Sequence, residues 1–177
     1  AYMLRDRNGL NGDTLGIGNE KAIKQLIAHH SVIFSPNELK VWVSSEPYAL
    51  GTYVGYDLNK IFNNDFSDTL LIAADSFLIS TNYGQYEYFL KVKEQIQAFT
   101  YKGGEPFLNN DEIEQFLVSN PESYLTYFYL GDYMKLIDEH ARAIEYYQIG
   151  LTKNIARTSE KIHMEKGLKY CTEQLNK

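Results

Sequence analysis
The chain has 177 residues, room for one domain with a small appendage, and its 44% hydrophobic and 23% charged residues suit an ordinary buried core. Its 17 basic and 23 acidic residues give a net charge of −6 with no basic run, which argues against nucleic-acid binding. No apolar stretch approaches the ~20 residues of a membrane span, residues 1–10 lack the layout of a signal peptide, and the single cysteine, Cys171, excludes an internal disulfide.

Along the chain, NGLNGDTLGIGNE (8–20) carries glycines 9, 12, 16 and 18. It lacks the GK[ST] ending of a phosphate loop and follows no strand, so it reads as a plain loop. GNEKAIKQLIAHH (18–30) predicts a helix, with Asn19 as cap, Glu20 in the first turn, and Ala22, Ile23, Leu26 and Ile27 on one face. SVIFS (31–35) and LKVWVSS (39–45) predict a β-hairpin around the turn residues PNE. EPYALGTYVGYDLNKIF (46–62) reads as a covering loop, NNDFSD (63–68) as a turn or linker, and TLLIAADSFLIST (69–81) as a buried strand or a short helix.

Beyond Gly84 the pattern is helical: QYEYFLKVKEQIQAF (85–99), then DEIEQFLVS (111–119), then a helix opened by Asn120 as cap with Pro121 in its first turn. In YLTYFYLGDYMKLIDEHARAIEYYQIGL (124–151), Ala143 lets two helices approach while Tyr127 and Tyr147 fill the space between them. The spacing of Leu130, Gly131, Ala143, Tyr147 and Gly150 resembles one tetratricopeptide unit over about 124–157, with Ile155 where a proline is usual. SEKIHMEKGLKYCTEQLN (159–176) is a capping helix with Met164, Leu168, Cys171 and Leu175 in one stripe.

The chemistry-bearing residues are few. Cys171 and His163 lie eight residues apart on one helix, about 12 Å along its axis, too far for a dyad. His29, His30, His140 and His163 have no metal-ligand spacing, so no metal or cofactor is expected. His140, His163 and the scattered acidic residues read as solvated helix positions. His29, His30 and Ser31 read as a helix end, where imidazole suits the carbonyl end of the dipole. A stand-alone hydrolase built on Ser31 with either histidine lacks an assignable carboxylate.

The run LRDRNGLNGDTLGIGNEKAIKQLIAHHSVIFSPNELKVWVSSEPYALGTYVGYDLNKIF (4–62) resembles the C-terminal part of isopenicillin-N acyltransferase-like N-terminal-nucleophile (Ntn) hydrolases. The matching elements are GNEKAI, AHHSVIF, VWVS, PY with G.YV, and YDL. The resemblance implies an αββα sandwich and an acyl transfer or amide cleavage by a cysteine exposed through autoprocessing. No cysteine lies in the first half of the chain, so no catalytic residue carries over. By the same analogy His30, Ser31, Trp42 and Tyr48 are candidates for a substrate-pocket wall.

The expected fold is therefore α+β: an N-terminal helix and antiparallel hairpin from an Ntn sandwich (1–66), a connecting segment (67–83), and an all-α tetratricopeptide-like region (84–177). The expected function is that of a C-terminal segment of an acyltransferase or amidohydrolase, inactive alone, with the rest of the parent polypeptide as its partner. The alternative is a non-enzymatic module whose helical tail docks a peptide or protein.

Overall fold
The computed structural model describes residues 1–65 and 70–177. Residues 66–69 lie outside the described residues, and with them much of the turn or linker expected at 63–68. Four strands form one antiparallel meander: β1 (Val32–Ser35), β2 (Lys40–Ser44), β3 (Tyr53–Asp57) and β4 (Leu70–Ile72). The β1–β2 hairpin is the predicted one, with Val32 opposite Val43 and Phe34 opposite Val41. Its turn is a single 3-10 turn at Pro36–Glu38, closed by Leu39 in the left-handed region.

Three expectations are corrected. The helix predicted over 18–30 does not form. Its start signal works locally, since the Asn19 side chain accepts a hydrogen bond from the Lys21 amide, but only one turn follows. The Lys24 amide instead donates to the carbonyl of Asp6, and burial alternates through Ala22, Lys24 and Leu26 against exposed Ile23 and Ile27. A period of two is the mark of an extended segment. The loop expected over 46–62 holds strand β3 and a short helix, α1 (Leu58–Phe62), capped by the Asp57 carboxylate. The 69–81 stretch divides: β4 at one end and a 3-10 turn, Ser76–Ile79, at the other.

The third correction concerns a cap. Helices α2 (Thr81–Lys102), α3 (Asn110–Ser119), α4 (Tyr124–Leu136), α5 (His140–Thr152) and α6 (Thr158–Leu175) make up the rest. α3 opens with a full capping box, Asn109 with Glu112. α4, however, is capped by Ser123, not by Asn120. The Asn120 amide is taken by the backbone of Ile17: it accepts from the Ile17 N–H and donates to the Ile17 carbonyl, both at 2.9 Å. Asn19 adds a bond to the Asn154 carbonyl, and Arg157 forks onto Glu20. Residues 17–20 are thereby fastened to the helical region.

One continuous core runs from Leu26 and Leu50 through Phe77, Phe89 and Phe116 to Tyr133, Tyr147 and Met164. In the expected stripe of α6, Met164 and Cys171 are fully buried, whereas Leu175 is exposed at the helix end. Tyr147 is fully buried. A Cβ at Gly131 of α4 would come within 2.5 Å of its ring, and one at Gly167 of α6 within 2.6 Å. Both glycines exist to let that ring in. Gly84, on α2, has no neighbour within 4 Å of an added Cβ. Gly84→Ala should therefore stabilise the chain by up to about 1 kcal/mol, the ordinary helix-propensity gain. Gly167→Ala should reverse the sign and destabilise it by about 1–3 kcal/mol through overpacking. Equilibrium urea unfolding of the two variants measures both, and equal effects would refute the packing assignment.

Candidate functional site
The two faces of the sheet differ, and the difference follows from the register. Val32, Phe34, Val41, Val43, Val54, Tyr56 and Leu71 align across the four strands on one face. Every one is apolar, apart from the tyrosine hydroxyl. Phe34 is 69% and Leu71 62% exposed, and none of the seven is fully buried. The opposite face carries Trp42, Ser44, Tyr53 and Gly55, and here Ser44, Tyr53 and Gly55 are buried. Gly55 is required on this face because a Cβ there would collide with the Trp42 indole.

Two of the four pocket-wall candidates meet in one recess. His30 and Ser31 line a recess of about 450 Å³ together with Ile23, Ile27 and Val32. Ser31 is wired into the sheet: its Oγ is 2.7 Å from the Tyr53 hydroxyl, and its amide donates to Ser44 Oγ at 2.8 Å. The Ser31 hydroxyl is thus paired with a phenol rather than with either exposed histidine, which is no arrangement for a serine nucleophile. Trp42 lies on the same sheet face but outside this recess. Tyr48 sits in the turn after the cis Glu46–Pro47 bond and packs against the helical core.

Two polar clusters escaped the sequence reading. The first joins residues 68 apart. Arg7 Nη1 is 2.7 Å from the buried Asp75 carboxylate, and its guanidinium lies 4.3 Å from the Phe77 ring centre. Arg5 donates to the Ala73 carbonyl at 2.6 Å and lies 5.5 Å from the Tyr53 ring centre. Beside them Lys24, 4% exposed, donates its ammonium to the Tyr48 carbonyl. Burial pushes the Lys24 ammonium down, Asp75 opposes this, and the two arginines add to it. Burial alone would raise the Asp75 carboxyl, but the Arg7 bond and the Phe77 amide outweigh it and hold it below its ordinary value.

The second cluster lies among α4, α5 and α6. Asp132, 5% exposed, accepts from the Tyr147 hydroxyl at 2.6 Å and Lys135 at 2.9 Å, and lies 2.8 Å from His163 Nε2. His163 is therefore anchored, not simply a solvated helix position, and Asp132 is no surface acid. Burial would raise the Asp132 carboxyl, yet those three bonds hold it below its usual range. The thiol of Cys171 is fully buried, and burial pushes its pKa up, the opposite of what a nucleophile needs. Among the described residues no three His, Cys, Asp or Glu side chains gather as a metal site. Nor, among them, is any helix long and apolar enough to cross a membrane.

The architecture defines an α+β protein: among the described residues, a four-stranded antiparallel sheet with six helices. No protein-family model, curated protein or solved structure matches the chain.

Proposed function
We propose that residues 1–66, with strand β4 of the connecting segment completing the sheet, are the C-terminal portion of an Ntn-type acyltransferase or amidohydrolase, and that the helical region is its tetratricopeptide-like appendage. The observation that carries this reading is the open apolar face of the sheet. A sheet solvated on one side alternates apolar and polar residues; on this face Val32, Phe34, Tyr56 and Leu71 are exposed around half-buried Val41, Val43 and Val54. In a two-sheet sandwich that face belongs against a second sheet about 10 Å away. The occupant is the upstream part of the same polypeptide, which also supplies the cysteine nucleophile. This chain supplies a sheet and pocket wall, with His30 and Ser31 on one recess.

The helical region supports the appendage role over partner docking. Asn120, Asn154 and Arg157 already engage residues 17–20 of the same chain. The close pairing of α4 and α5, with Tyr147 seated on Gly131, supports the tetratricopeptide-like reading.

The test is a pair of charges on the open face. The chain alone should self-associate, and Phe34→Glu with Leu71→Glu should render it monomeric by sedimentation without loss of stability. In the product of the whole reading frame the same two changes should abolish assembly and activity. Unchanged activity there would refute the reading.

A further inference from the structure
We propose that Arg5 and Arg7 form a binding site for a small monocarboxylate, a property separate from the acyl chemistry above. The two guanidinium groups line one recess of about 620 Å³, with Tyr2, Asn8 and Ala74. That volume suits a small organic ligand. Each arginine is held from behind: Arg5 over the Tyr53 ring and by the Ala73 carbonyl, Arg7 over the Phe77 ring and by Asp75. A guanidinium has five N–H donors in a fixed fork. Arg5 Nε is itself buried, and with one bond apiece already made the donors left for a ligand are mainly those of the terminal nitrogens.

Charge sets the ligand class. The recess carries Asp6 and Asp75 as well as the two arginines, so its formal charges balance. Asp75 is occupied by Arg7 and the Phe77 amide, and Asp6 accepts from the Asn8 amide at 3.0 Å. A monoanion adds a single negative charge to this balanced recess, whereas phosphate adds about −1.5 or more at pH 7. The planar fork of arginine also matches a carboxylate edge to edge. Neither arginine stands out in the sequence, because the residues that hold them lie more than 45 positions away.

The site is tested by titrating the full chain with acetate, benzoate and inorganic phosphate at low salt, following backbone amide shifts. Saturable shifts at residues 5–8 and 74–76 with both carboxylates are expected, with phosphate weaker. Arg5→Gln should weaken carboxylate binding at least about tenfold, as loss of charge-assisted bonds implies. Because Arg7→Gln strands the buried Asp75, Arg5→Lys serves as the second variant: it keeps charge and fold but loses the fork, and should also weaken binding. No saturable shifts, tighter binding of phosphate, or unaltered binding in Arg5→Gln would each overturn the proposal.

Discussion
Tyr147→Ala should lower the unfolding free energy by about 4 kcal/mol, the usual cost of deleting a large aromatic side chain from a tight core. That is a large share of the roughly 5–15 kcal/mol that holds a typical domain together. Tyr147 is fully buried between Gly131 and Gly167, glycines that fit no larger residue, so neighbouring helices cannot close the void by a small shift. In a thermal melt the midpoint should fall by on the order of 10 °C. Tyr147→Phe keeps the ring and loses only the bond to Asp132, so it should cost about 1–2 kcal/mol. Equal losses in the two variants would mean that the hydroxyl, not the ring, carries the stability.

Asp132→Ala should cost about 2–3 kcal/mol, because it strands the buried Tyr147 hydroxyl without an acceptor. Lys135 and His163 contribute less to this loss, since both reach solvent. Combined with Tyr147→Phe it should cost less than the sum of the two, since both remove one bond. The pH dependence has a definite sign. The folded Asp132 carboxyl titrates below its ordinary value, so its contribution is complete above about pH 4 and disappears as pH falls through the folded value. Asp132→Asn should flatten part of the acid limb of the stability curve, and Asp75, shifted the same way, should supply the part that remains. An acid limb identical to that of the unaltered chain would contradict the assignment.

The helical half was readable because its signals are local. Apolar residues at helical spacing reappear as buried Tyr86, Phe89, Val92 and Ile96 in α2, and as Met164 and Cys171 in α6. The hairpin was readable for the same reason, through two β-branched and aromatic runs separated by the turn residues PNE. Residues 18–30 show where local reasoning stops. Asn19 and Glu20 are sound helix-start residues, but Asn19 also bonds the Asn154 carbonyl and Glu20 pairs with Arg157. Bonds spanning more than 130 positions outweigh a propensity worth tenths of a kcal/mol per residue. The same competition drew Asn120 from the cap of α4 to Ile17.

The site divides along the same line. The sequence placed His30 and Ser31 together because they are adjacent, and they do share a recess. It grouped Trp42 and Tyr48 with them by analogy; Trp42 lies on the sheet face of Ser44 and Tyr53, and Tyr48 packs against the helical core. The Arg7–Asp75 and Asp132–His163 pairs have no local signature at all. Lys24 carried one, as the polar residue of an alternating run Ala22–Lys24–Leu26, had that run been read with period two.

On the proposed reading, the open sheet face packs against a further layer of the same polypeptide, and the nucleophile lies upstream. Intact-mass and N-terminal analysis of the mature product of the whole reading frame tests this most directly. An autocatalytically processed protein is expected, with a newly exposed N-terminal cysteine upstream of residue 1 and amidase or acyltransferase activity that is lost when that cysteine is replaced. A product that stays unprocessed, with no cysteine at a new N-terminus, would contradict the account.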